Sequence, residues 1–312
     1  MGSSTRYRPL PSSARTAATA SYLDGRVRLA TSIPQGGSYT VNHMTYFSHI
    51  TPRRLATLAV ATAALIIPSA AHAASPPTVE VDVADRAIAV QGTDKLGRGP
   101  VRLHLSGESL DDTHTVAIVE LKRGVTANAA EHDLDRLDKV GRLVAGANVS
   151  ADEDYTTTIT ARAREHLIVD VTAEDGGEAR FTVGEEANGA RLPKSDATIG
   201  MRDKGFSLPS ELPADGVLRI VNQGDLAHQV TAFRLPKDTS YARARRLLIS
   251  GRSLEGLGTA TVLSGLVSAG TVNRVEATLR RGRYLVASLY APLTANGRPD
   301  VLRGLIAATQ VR

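Results

Sequence analysis

Two stretches of this chain share one register. The first reads His114-Thr-Val116-Ala-Ile118-Val-Glu120-Leu121 and runs on to Thr126; the second reads His228-Gln-Val230-Thr-Ala232-Phe-Arg234-Leu235 and runs on to Ser240. In each, a histidine opens an alternating apolar run, a leucine follows at the seventh position and a hydroxyl residue at the twelfth. An echo of this kind sets the architecture before any single motif is weighed. It predicts two similar β-rich halves.

The flanking sequence supports that reading. Val79–Val83, Ala87–Val90 and Val101–Leu105 alternate apolar and polar residues, the period of strands with one buried face. Thr156–Thr160, Leu167–Val171 and Phe181–Val183 complete the first half; Val217–Val221, His228–Leu235, Val272–Leu279, Tyr284–Leu289 and Leu305–Val311 supply the second. Thr126 and Ser240 are placed to cap helices over 127–140 and 241–249. The glycine-rich stretch Gly251–Gly270 and its counterpart around Gly146 read as loops. The fold class is therefore mainly all-β: two tandem Greek-key β-sandwiches, each with one short helix.

The expected organisation begins with a disordered leader over 1–43, whose start raises the question whether translation begins at Met1 or Met44. Arg53-Arg54, the apolar run Leu55–Ile67 and Ala71-His72-Ala73 then form a signal peptide over 44–73, with cleavage before Ala74. The apolar run is shorter than the roughly 20 residues that span a bilayer, so membrane contact is expected only in transit. The first sandwich occupies 74–184, a linker rich in Gly, Glu, Asn, Pro and Ser 185–212, and the second sandwich 213–312.

Composition excludes more than it assigns. Without cysteine there is no thiolate zinc site, iron–sulfur cluster, cysteine nucleophile or disulfide. The formal net charge of +5 resides in the leader: residues 1–73 carry seven arginines against Asp24, while 74–312 carry 30 basic and 31 acidic residues. Nucleic-acid binding thereby loses its compositional support. Residues 74–199 hold 14 basic and 23 acidic side chains, residues 200–312 hold 16 and 8. An acidic half and a basic half invite intramolecular docking. The composition also resembles that of high-GC bacterial proteins.

One family is called up by particular residues. Val221-Asn-Gln-Gly-Asp-Leu-Ala-His228 resembles the strand–turn–histidine segment of cupredoxins, the blue-copper sandwiches. Gly282-Arg-Tyr284-Leu-Val-Ala-Ser288 resembles their Gly-x-Tyr-x-x-x-Cys strand, and Gly297-Arg-Pro-Asp300-Val-Leu-Arg-Gly-Leu305 their closing loop. The resemblance covers most of 213–312 and, more faintly, 98–183. It implies a cupredoxin-like scaffold whose copper ligands are largely missing. His228 stands at a ligand position, but Ser288 replaces the cysteine, Asp300 the second histidine and Leu305 the methionine; in the first half, Val169–Val171 offers no thiolate. A blue-copper centre needs a thiolate and two imidazoles, so blue copper is excluded and no cofactor is expected.

The leading expectation is a secreted, non-catalytic protein for binding or cell-envelope interaction. The first alternative is an extracytoplasmic Cu(II)- or Zn(II)-binding protein using His228 with Asp300, or His104 and His114 facing across a hairpin with Asp111 or Asp112. Otherwise His228 braces the neighbouring loop through Asp300. A second alternative is a hydrolase using Ser288 and His228. The exposed cationic cluster Arg243, Arg245, Arg246, Arg252, Arg280, Arg281 and Arg283 nominates an anionic envelope polymer, a protein partner or the acidic half as its target. The acidic residues of 131–138 read as a solvated helix face.

Overall fold

The computed structural model describes residues 18–23, 26–31 and 74–312, except 108–109, 111, 126–136, 138, 152, 173–175, 251–255 and 292–296. Near the N-terminus, β1 (Ala18–Leu23) and β2 (Arg26–Thr31) pair as an antiparallel hairpin within the stretch expected to be disordered. The expected signal peptide lies outside the described residues.

The repeat extends from the histidine segments to whole halves. The first comprises β3 (Thr78–Ala84), β4 (Ala87–Gln91), β5 (Gly97–Gly107), β6 (His114–Leu121), β7 (Gly141–Val149), β8 (Tyr155–Ala161), β9 (Glu165–Asp170) and β10 (Glu178–Thr182). A short strand, β11 (Gly184–Ala187), follows. The second comprises β12 (Ala197–Arg202), β13 (Gly205–Ser207), β14 (Glu211–Leu212), β15 (Asp215–Asn222), β16 (His228–Arg234), helix α1 (Tyr241–Ser250), β17 (Ala260–Val267), β18 (Val272–Thr278), β19 (Gly282–Ala287), helix α2 (Asp300–Arg303) and β20 (Ile306–Val311). Pairings recur: β3 runs parallel to β5 as β12 does to β15, and β6 lies antiparallel between β7 and β9 as β16 does between β17 and β19.

Each half is a sandwich. One layer of the first is β10-β9-β6-β7, and one layer of the second is β14-β20-β19-β16-β17. The facing layers are continuous: a single sheet runs β13-β12-β15-β18-β8-β5-β3-β4, with β11 beside β5. Strand alternation explains the layering. Val79, Val81 and Val83 of β3 and Val101, Leu103 and Leu105 of β5 turn inward and are fully buried, and their polar neighbours face out. β6 and β16 are buried on both faces. Val116 and Ile118 enter the inter-sheet core, whereas Val119 and Leu121 pack outside beneath Leu137. In the second half Val230 and Ala232 point inward, and Phe233 and Leu235 pack under Ala244 and Leu248 of α1. These last two sit four apart on one face of the helix. The Ser240 hydroxyl accepts the Arg243 amide (3.2 Å), as a cap should. Of the other expected helix, Leu137, Lys139 and Val140 are helical, and most of the rest lies outside the described residues.

Three sequence expectations change here. Residues 185–212, expected as a linker, hold most of β11 and all of β12, β13 and β14, so the second half begins at β12. The stretch around Gly146 and Ala260–Val267 of the Gly251–Gly270 segment are not loops; they are β7 and β17. The halves are not separate bodies joined by charge either. β8 and β18 pair antiparallel through Thr156–Thr158 and Arg274–Glu276, and one apolar core takes residues from both halves. The Arg102 guanidinium adds a bidentate pair with Glu276 across this seam, both bonds 2.9 Å.

Gly146 and Gly265 explain the close approach of β7 to β17. A Cβ on Gly265 would lie 2.4 Å from the Gly146 carbonyl carbon, inside van der Waals contact. Ser268 completes the join: its backbone N–H donates to Leu143 O (2.9 Å), and its hydroxyl accepts the Leu143 N–H (3.0 Å).

Candidate histidine–carboxylate site

His228 opens β16 on its inward face and is wholly buried. The turn before it is rigidly held. The Asn222 side-chain amide donates to Leu226 O (2.8 Å) and Val267 O (2.9 Å), while its oxygen accepts the Gly224 N–H (3.0 Å). Asp203, in the tight turn between β12 and β13, accepts the Asp225 and Leu226 amides (3.1 and 3.2 Å).

Both imidazole nitrogens are occupied. Nδ1 lies 2.7 Å from Asp300 Oδ2 and Nε2 3.0 Å from Asp203 Oδ1, both within hydrogen-bond distance. Partial burial pushes the Asp203 carboxyl up. The hydrogen bond from His228 and the two backbone amides outweigh it and hold Asp203 below the ordinary carboxylate range. Asp300 opens α2 and is fully buried; it also accepts the Ser288 hydroxyl (2.6 Å) and pairs with Arg303. Ser288 therefore donates to the aspartate, not to the histidine.

The first half builds the same arrangement. His114 Nδ1 meets Asp170 Oδ2 at 2.5 Å, and Nε2 lies 3.5 Å from Asp85 Oδ1. Asp85 sits in the turn after β3 as Asp203 sits in the turn after β12. Val116 pairs with Asp170, and Thr231 with Ala287. Continued by one residue, that register puts Ser288 opposite Val230, so Asp170 and Ser288 occupy matching places. The inner carboxylate thus comes from the strand end in one half and from the closing loop in the other.

The other expected site residues are dispersed. His104 lies on β5 in the long sheet, its Nδ1 2.9 Å from Thr156 Oγ1 and its Nε2 4.0 Å from both Glu80 and Asp154. His114 lies in the opposite layer, so the expected His104–His114 pair is not formed across a hairpin. Asp111 lies outside the described residues and Asp112 is exposed. Arg243, Arg245, Arg246, Arg280 and Arg281 are exposed, and Arg252 lies outside the described residues. Arg283 is a brace: it donates to Pro236 O (2.9 Å) and Lys237 O (2.7 Å), with its guanidinium 5.8 Å from the centre of the Tyr241 ring. Asp85, Asp170 and Asp203 were not among the sequence candidates. Their signal was an aspartate at the same place after the first strand of each half, and another closing a buried run.

Two β-layers per half, a histidine opening the inward face of β6 or β16, and the sequence pattern of the second half together define the architecture. It is cupredoxin-like, in tandem. Known structures of similar outline include a multicopper oxidase (13% identity, TM-score 0.23, covering 75% of this chain and 88% of that one). They also include auracyanin B (17%, 0.24, 39% and 93%) and a reduced auracyanin from Roseiflexus castenholzii (12%, 0.24, 38% and 99%). No protein-family profile and no curated protein matches the chain. At superpositions this loose, no ligand or activity transfers from those proteins.

The residues present do not fit a blue-copper centre. The chain has no thiolate, Ser288 and Asp300 bond one another, Leu305 is buried, and both His228 nitrogens are committed to carboxylates. Among the described residues no group of three or more His, Asp or Glu side chains is placed to hold a metal ion. No helix among them is long and apolar enough to cross a membrane.

Proposed function

We propose that this chain is an exported, non-catalytic binding protein on a copper-less cupredoxin-like scaffold, which presents charged surfaces to an anionic component of the cell envelope. The observation that carries the reading is the closed state of the His228 cluster. Its imidazole, serine hydroxyl and inner carboxylate are each 0% exposed and bonded to one another or to neighbours. A catalytic site keeps a position open to substrate or solvent; this cluster acts as a brace that fixes the closing loop on the sheet. The apolar run after Arg53-Arg54 supports export. The exposed Arg243, Arg245 and Arg246 of α1, with Arg280 and Arg281, supply the cationic face for the partner.

Equilibrium dialysis of the purified chain against micromolar Cu(II) and Zn(II), paired with co-sedimentation on isolated anionic envelope polymer, tests this. The expected result is no stoichiometric metal, and polymer binding that falls at least several-fold in a triple Arg243→Gln, Arg245→Gln, Arg246→Gln variant. Stoichiometric metal that disappears in His228→Ala overturns the reading, as does polymer binding indifferent to the triple variant.

A further inference from the structure

At the end of the first sandwich remote from His114, the start of β5 and two turns bring four arginines to one depression. It has a volume of about 490 Å3 and is lined by Arg98, Arg123, Arg162 and Arg164, with Thr160 and Glu185 among its other walls. The placement follows from the register. Gly99 pairs with Ala161, so Arg98 on β5 stands beside Arg162 just past β8. Arg162-Ala163-Arg164 is the β8–β9 turn. Glu120 pairs with His166, which sets Arg123, just past the end of β6, next to that turn.

The charge here runs against its surroundings. Residues 74–199 carry 23 acidic side chains and 14 basic ones, yet this wall holds four guanidinium groups and one carboxylate. Glu120 lies beneath, 3.5 Å from Arg162, but Arg142 already holds it at 3.1 Å. Among the described residues, Arg98, Arg123 and Arg164 form no ion pair within 4.0 Å, the span that defines the pairs made by Arg142 and Arg162. Like charges gathered with fewer counter-charges repel, and folding gains little from gathering them. A bound anion reverses that sign. Guanidinium forks match carboxylate and phosphate oxygens two at a time.

We propose that this depression is a binding site for a small ligand bearing two adjacent oxyanion groups, phosphate or carboxylate, gripped by Arg98, Arg123, Arg162 and Arg164. The site is separate from the cationic face of α1, and it stands whether or not that face binds polymer. Its glycine and alanine floor (Gly99, Ala161, Ala163, Ala187) leaves the ligand close to the backbone.

Isothermal titration of the purified chain with inorganic pyrophosphate and with citrate, in roughly physiological salt, decides the matter and separates the two chemistries. Saturable one-to-one binding of at least one probe is expected, weakened at least tenfold in Arg98→Gln/Arg164→Gln, unchanged in Arg243→Gln/Arg245→Gln, and strengthened a few-fold in Glu185→Gln. Both substituted arginines have accessible side chains, and circular dichroism of the variant confirms its fold. No saturation with either probe, or saturation that the Arg98/Arg164 variant leaves intact, overturns the proposal. So does a Glu185→Gln variant that binds no better.

Discussion

His114 and His228 hold the same place in the two halves, and each lies between an aspartate in the first hairpin turn and an aspartate inside the sandwich. They differ in how deeply that arrangement is sealed. His228 is fully buried, its outer carboxylate 3.0 Å away, and its inner partner Asp300 is shared with Ser288 and Arg303. His114 is 6% exposed, with its outer carboxylate at 3.5 Å. The inner aspartate arrives by different routes, from the end of β9 or from the loop between β19 and β20. The pairing of imidazole with two carboxylates therefore recurs at this position in both halves, with the inner carboxylate supplied from different elements. The extra loop of the second half moves the carboxylate off the strand, leaves a serine in its place and closes the cluster more tightly.

The depth of sealing can be broken directly. Leaving a buried polar group short of a partner costs about 1–3 kcal/mol, more for a charged one, so His228→Ala, which takes the imidazole from buried Asp300 and leaves it Ser288 and Arg303, is expected to lose at least about 3 kcal/mol in urea unfolding. His114→Ala should lose less, about 1–3 kcal/mol, because solvent reaches Asp170 more readily once the imidazole is gone. Equal losses would show that the two clusters bear equal load.

Acid should separate the halves next. In the first, His166 pairs across the sheet with Glu120 and stacks on Phe181, ring centres 4.8 Å apart. Burial pushes its imidazole down to about 4, against opposing effects from the Glu120 charge and the Arg164 carbonyl. At the matching place the second half has Tyr284, paired with Arg234. The unfolded chain takes up a proton near pH 6.5, where the folded His166 does not. Stability is thus complete above pH 6.5 and falls as pH drops toward 4, by about 3 kcal/mol in all. A His166→Phe variant should flatten that slope between pH 7 and 5; an unchanged slope would place the acid sensitivity elsewhere.

The smallest expected effect lies at the seam. Gly265→Ala thrusts a Cβ into the Gly146 backbone and should cost about 1–3 kcal/mol by overpacking. Gly146→Ala should cost less, since its nearest contact is 3.1 Å, to the Val116 carbonyl oxygen. Thermal unfolding of the two variants side by side gives the order.

Much of the sandwich was legible. Strands with clean alternation, such as β3, β5 and β6, are readable because one face of each meets the core. β7 and β17 were not. Gly-Arg-Leu-Val-Ala-Gly-Ala-Asn-Val over 141–149 lacks the alternation and the large side chains of an ordinary strand, and it is held by pairing with β6 and close packing of Gly146 on Gly265. β12 was hidden for a related reason: Ala197–Arg202 is short and flanked by turn residues, and it becomes a strand through parallel pairing with β15. Of the candidate site, His228 and Asp300 were visible as matches to a motif. Asp85, Asp170 and Asp203 were not, because nothing local marks which aspartate will be folded against an imidazole. The arginines of the first-half depression come from a strand start and two turns, so only the tertiary structure assembles them.

The seam between the halves pairs like with like: β8 lies on β18, β7 beside β17, and Gly146 faces Gly265. This is the geometry of a self-complementary dimer written into one polypeptide. The covalent connection makes the encounter intramolecular, so the join stays closed at any dilution. Two strand rims, those of β8 and β18, that would otherwise template pairing with other chains are used up internally.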